Sequence, residues 1–196
     1  AKSDRVIIEN EKVNGSISLQ GGVLDDLSFK NYKKSLNSED RVVFLHPSET
    51  KDGYFIETGW TSIGNKIKVP NNQTEWSVKG NKFLSEKSPV ILEWNNGSGL
   101  KFIKKIELDE KYLFRIEQEV QNNTKNNIEL YPYAQITRNK KPDDIMDFYI
   151  LHEGFIGVFD GELKEDGYDD IKEKKIVREA ENGWLGITDK YWVTAI

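Results

Sequence analysis

Two histidines, His46 and His152, are the only imidazoles in 196 residues, and there is no cysteine. Thiolate metal sites, disulfides and cysteine nucleophiles are therefore excluded. His152-Glu153 could act as an acid–base pair on a sugar, since both side chains can move protons. Neighbouring strand residues point to opposite faces, however, so the two converge poorly on one substrate. Both histidines read better as turn residues, before Pro47 and before Glu153-Gly154 respectively. The acidic pairs Asp25-Asp26, Asp143-Asp144 and Asp169-Asp170 invite a calcium or glycosidase reading. A calcium loop needs oxygen ligands in the order D-x-[DN]-x-[DN]-G, which the stretch from Asp166 to Asp170 lacks. These pairs are read as solvated turn acids.

Gly154-Phe155-Ile156-Gly157 has neither phosphate-loop spacing nor a following helical pattern. No G-x-S-x-G elbow supplies a serine nucleophile. Trp60, Trp76, Trp94, Trp184 and Trp192 could form a carbohydrate platform, but single aromatics within alternating strands favour a core role. No catalytic set, metal site or cofactor emerges, and binding or scaffolding is favoured over catalysis.

The residues that could act must be held by strands. Short alternating runs separated by Gly, Asn, Asp and Pro recur, while sustained 3.6-residue periodicity is missing. Arg5–Asn10, Ser16–Gln20, Val23–Tyr32 (after the Gly21-Gly22 turn), Val42–Leu45, Tyr54–Trp60, Thr74–Lys79 and Val90–Trp94 are expected strands. In the block Leu100–Arg138, Leu100, Phe102, Ile106 and Leu108 keep a two-residue beat. Three consecutive antiparallel strands with one wet face are expected there. The run Lys101–Lys105 is read as a solvated strand face, and Glu162–Lys174 leaves strand and helical turn open. In the closing "GWLGITDKYWVTAI", Trp184–Thr188 and Tyr191–Ile196 read as a hairpin turning at Asp189-Lys190, its tryptophans buried. Asn139–Asp144 is the best candidate boundary, but composition does not shift across it, and one domain over 1–196 is expected. So many short strands imply an all-β sandwich with little helix.

Hydrophobic residues at 37%, charged residues at 31% and a formal charge of −5 describe a hydrated globular chain. This balance argues against nucleic acid, whose phosphates need clustered Lys and Arg. No apolar run approaches the ~18 residues of a membrane span, and no signal peptide is expected.

"HEGFIGVFDGELKE" (His152–Glu165) and "NGWLGITDKYWVTAI" (Asn182–Ile196) resemble the large periplasmic domain of YidC-type membrane protein insertases. "GSISLQGGVLDDLSFKNY" and "VVFLHPSETKDGYFIETGW" match its opening strands. The resemblance implies a large twisted antiparallel β-sandwich of the galactose mutarotase-like supersandwich type. It implies a periplasmic accessory domain, at the outer face of the inner membrane, that assists insertion and folding of nascent membrane proteins. SecDF and SecYEG translocon components are the implied partners. The contact is expected near Phe155, Gly157, Phe159 and Tyr168, while Gly154, Gly183, Trp184, Tyr191 and Trp192 mark the family in the core. The resemblance further implies that C-terminal strands and a helical segment follow Ile196. Two rival readings are a carbohydrate-binding or mutarotase-like protein, which would need histidines meeting a carboxylate in a cleft, and an exported adhesion module.

Overall fold

A computed structural model describes residues 4–142 and 152–196. The chain folds as two compact units, Ala1–Gln135 and Ile136–Ile196. The division falls a few residues before the expected boundary loop, part of which (Asp143-Asp144) lies outside the described residues.

In the first unit the strands are β1 (Arg5–Glu9), β2 (Val13–Ser18), β3 (Val23–Lys33), β4 (Arg41–Leu45), β5 (Tyr54–Thr61), β6 (Ser77–Lys79), β7 (Phe83–Leu84), β8 (Val90–Asn95), β9 (Leu100–Leu108) and β10 (Phe114–Asn122). β11 (Tyr131–Arg138) crosses the division. One sheet runs β11-β5-β3-β2-β1-β7, with β4 also on β3, and a second runs β10-β9-β8-β6. The pairs whose register is described are antiparallel except β1 with β7, where Ile7 and Ile8 meet Phe83 and Leu84 in parallel register. This all-β sandwich is the expected fold class. The β9–β10 hairpin forms as expected, but the third strand of that block does not join it. After the Asn122–Asn127 turn the chain crosses to the other sheet, where β11 pairs with β5 and Tyr133 packs against Gly59.

The core of this unit is aromatic and polar at once. Trp60 meets Phe102 at 5.1 Å and lies roughly parallel to Trp76 at 6.5 Å, so these two tryptophans are core residues as expected. Along β9 the buried positions are Leu100, Phe102, Lys104, Ile106 and Leu108. Strict alternation therefore places Lys104 inside, at 1% exposure, and corrects its reading as part of a solvated face. Lys101 and Lys105, on the opposite face, do pair with surface acids Glu93 and Glu107.

The Lys104 ammonium donates to the Thr58 carbonyl at 2.6 Å and stands 4.9 Å over the Trp76 ring. Antiparallel register through Leu24 and Ile56 would set Gly22 opposite Thr58. Instead β3 ends at the Gly21-Gly22 turn, where both φ angles are positive (76° and 64°), a region glycine enters without cost. Lys104 thus supplies a donor to the Thr58 carbonyl from within the core. A Cβ at Gly22 would sit 3.0 Å from the Trp76 indole nitrogen, so the bare backbone lets this cluster close.

Asp25 is likewise no solvated turn acid. Register shifts between Ser16 and Ile17, leaving Asp25 as the extra residue of a bulge in β3. There its buried carboxylate pairs with Arg5, whose Nε also donates to Ser16 Oγ at 2.7 Å. Asn10 ties turns together in the same unit: its Oδ1 accepts from Lys12 and Val13, and its Nδ2 donates to the Asp109 and Lys111 carbonyls.

Burial lowers the Lys104 pKa from 10.5 to about 8, against a partial upward pull from the Glu57 carboxylate. Below about pH 8 folded and unfolded chains both carry the charge, so the full burial cost is present. Between about 8 and 10.5 the unfolded chain holds the extra proton, and stability must rise with pH. Urea unfolding across this window should show wild type gaining up to about 1 kcal/mol per pH unit relative to Lys104→Met. Parallel pH profiles for the two proteins would refute the buried charge.

Candidate functional site

In the second unit β12 (Gly154–Phe159), β13 (Glu162–Gly167), β14 (Gly183–Thr188) and β15 (Val193–Ala195) form one sheet in the order β13-β12-β14-β15. The ambiguous Glu162–Lys174 stretch resolves into β13 and one short helix, α1 (Asp170–Glu173). Asp160-Gly161 makes the β12–β13 turn, with φ values of 49° and 88° as Asp-Gly hairpins favour. The Asp160 carboxylate then accepts from the backbone of Glu181 and Asn182 at 3.0 and 2.9 Å. The Asp189 amide donates to the Trp192 carbonyl at 2.8 Å, closing the expected turn between β14 and β15.

Alternation gives this sheet two different faces. On the inner face, cross-strand register aligns Asp166, Phe155, Ile187 and Thr194. Ile187 and Thr194 are buried, and Tyr168 packs edge-on against Phe155 at 5.8 Å. The Tyr168 hydroxyl donates to Asp189 at 3.1 Å, while Arg138 donates to both, at 2.6 Å to Asp189 and 3.3 Å to Tyr168. Arg178 reaches back from the segment after α1, pairing with Asp166 at 2.5 Å and standing 5.5 Å over the Phe159 ring. That hydrogen bond holds the Asp166 pKa below its ordinary value, with the charges of Arg178, His152 and Lys174 adding to it.

The residues expected to contact a partner therefore lie mostly inward. Phe155 and Phe159 are half-buried beneath Tyr168 and Arg178, and Tyr168 and Gly157 are buried. Among the family markers Gly154 is buried, whereas Gly183 is exposed and not in the core, although a side chain there would overlap the Val158 carbonyl oxygen. Trp192 is half-buried, but Trp184 is 40% and Tyr191 72% exposed, which corrects their placement in the core. Trp184 falls on the face opposite Leu185 and Ile187, so the packed side of β14 cannot take it. Sequence reasoning gives Arg138 no role and reads Asp189 only as a turn residue. A charged residue ending each of two strand patterns was the available signal.

The sugar-enzyme reading finds little here. Within the second unit the His152 ring bonds the Phe155 carbonyl at 2.8 Å, and within the first the His46 backbone pairs with Tyr54. Among the described residues neither ring hydrogen-bonds a carboxylate, and no group of three potential metal ligands forms. Trp184 and Tyr191 stand at opposite ends of β14, roughly 15 Å apart by strand rise, too far to stack on one sugar ring. The grooves beside Arg178, about 430 and about 410 Å³, are lined largely by charged residues, among them Asp166 with Arg178 and Glu162 with Lys164, which pair with each other.

What the fold and this sheet define is an all-β module that presents surfaces. The family model described as the YidC periplasmic domain matches residues 5–196, and the chain belongs to that family. It is 44% identical over 195 residues to a protein of Pelagibacter ubique named membrane protein insertase YidC, covering all of this chain and 35% of the relative. Proteins of the same name in Jannaschia sp. and Bradyrhizobium diazoefficiens are 39% and 42% identical, again over the whole chain and 33% and 32% of their own lengths. The chain thus spans about a third of the length of the curated relatives it matches. No helix among the described residues is long and apolar enough to cross a membrane.

The Arg138–Tyr168–Asp189 triangle yields a direct test. Arg138→Ala leaves the half-buried Asp189 carboxylate without its cation and should cost roughly 1–3 kcal/mol in denaturant unfolding. Arg138→Lys should recover only part, because an ammonium lacks the fork that reaches two acceptors. Unchanged stability in the alanine variant would remove the triangle from the account.

Proposed function

We propose that this chain is the periplasmic accessory domain of an inner-membrane protein insertase, without enzymatic activity of its own, and that its two units act as one domain. The observation that carries this reading is the family match through residues 5–196, within relatives named as insertases and about three times as long. In this reading the remainder of the whole protein supplies the membrane-embedded insertion machinery. The β-rich domain contacts Sec translocon components, SecDF and SecYEG, and assists the insertion and folding of nascent membrane proteins. The unit 136–196 is the proposed contact element. A β-sheet held by its own ion pairs can present a fixed surface without a lid or a cofactor, and exposed aromatic and aliphatic side chains suit protein recognition.

The reading is tested by photo-crosslinking in the intact membrane protein, with a photoreactive phenylalanine placed in turn at exposed positions of both units. Adducts with Sec components are expected from positions in the 136–196 unit and few from the 1–135 unit. Absence of Sec adducts at every position, with the insertase itself stably assembled, would contradict the partner assignment.

A further inference from the structure

The outer face of the β13-β12-β14-β15 sheet is apolar and uncovered. Register places Leu163, Val158 and Trp184 in one cross-strand row, and Ile156, Gly186 and Ala195 in the next with Glu165 at its end. Val193 extends the face one row further, opposite Thr188. Leu163 is 56%, Val193 55% and Trp184 40% exposed, while Ile156 and Val158 are half-buried between them. Glu165 is the one charged side chain in these rows. Gly154, Gly167 and Gly186 carry no side chain, which leaves a shallow trough between the apolar residues. Contiguous exposed apolar surface of this kind marks interaction sites, and a tryptophan at its edge suits an anchoring role.

Charge indicates what covers it. Residues 136–196 hold nine Lys and Arg against fourteen Asp and Glu, whereas 1–135 hold nineteen of each, so the whole formal charge of −5 falls on the second unit. Close to the Leu163–Val158–Trp184 row, the β12–β13 turn binds the 181–182 backbone through Asp160, which brings Glu181 to that end of the sheet. Glu165 and Glu181 form no ion pair among the described residues, unlike Asp166 and Glu162, which are neutralised by Arg178 and Lys164. An apolar trough rimmed by uncompensated carboxylates matches a ligand that is apolar and cationic together.

We infer that this outer face docks a partner protein segment in which apolar side chains are interleaved with Lys or Arg. The inference rests on the reading of the 136–196 unit as a contact element. It moves the contact from Phe155, Phe159 and Tyr168, which hold the sheet together, to Leu163, Trp184 and Val193 on its other side. Apolar burial supplies the affinity, and the acidic rim supplies selection and speed of encounter.

The test uses the 196-residue chain and fluorescence anisotropy of a labelled peptide of alternating leucine and lysine. The peptide should bind, with affinity falling roughly tenfold in high salt. A peptide of alternating leucine and glutamate should bind at least about tenfold more weakly. Trp184→Ala and Leu163→Ser should each weaken binding of the lysine peptide by about five- to tenfold with unchanged unfolding midpoints. Ile7→Ser, at an exposed aliphatic position of the first unit, should leave it unaltered. Equal binding of both peptides, binding indifferent to Trp184 and Leu163, or concentration-dependent self-association that Trp184→Ala abolishes would each overturn the inference. Sec adducts that persist in the Trp184→Ala membrane protein would sink the docking face while leaving the proposed function standing. Loss of all Sec adducts in the parent would do the reverse.

Discussion

A β-strand can bury only every second side chain, and in this molecule that alternation sets both the strength of the core and the character of the surface. On β9 it drives Lys104 between Phe102 and Ile106, where no solvent reaches the ammonium. The charge is then held by the Thr58 carbonyl and the Trp76 ring, close to the Gly21-Gly22 turn that precedes β3. On β12 and β14 the same rule separates Phe155 and Ile187 from Val158 and Trp184. One set closes the unit's interior, and the other faces outward with little polar cover.

Polar groups, rather than apolar area alone, define how the elements are joined. Asn10 links the β1–β2 turn to the β9–β10 turn through four hydrogen bonds. Arg5 neutralises Asp25 at the bulge, and Arg138 joins Asp189 to Tyr168. Each of these charges is wholly or partly withdrawn from water, where an unpaired group costs far more than a paired one gains. Both arginines of the second unit are used this way, on Asp189 and Asp166, while Glu165 on the outer face forms no ion pair among the described residues. An apolar face edged by acidic side chains is the feature on which the proposed docking role rests.

Much of this was legible in the residue pattern. Leu100, Phe102, Ile106 and Leu108 announced a half-buried strand, Asp189-Lys190 announced a turn, and the ordered blocks of the family announced a β-sandwich. The errors share a physical origin. The chemistry of Lys104 points to water, although the two-residue beat reserves its position for the core. Asp25 reads as a turn acid because a bulge leaves no mark in alternation except a slip of one residue. β11 reads as a neighbour of β10 because sequential strands commonly pair, while its partner β5 lies some seventy residues earlier in the chain. The size of Trp184 points inward, yet its neighbours Leu185 and Ile187 share the other face of β14. Family resemblance suggests a contact region along the chain but carries no information on which side of a sheet each residue stands.

The two faces of the β12–β14 pair separate the unit's interior from its apolar outer surface, and the absence of cysteine makes them directly measurable. Single cysteines placed along 154–159 and 183–188 would be labelled with a water-soluble maleimide in the folded chain. Labelling should be fast at 184, on the outer face, slow at 187, on the inner face, and intermediate at 156 and 158, where the side chains are half-buried. Uniform rates, or fast labelling at 155 and 187 with protection at 158 and 184, would contradict the assignment of inner and outer faces.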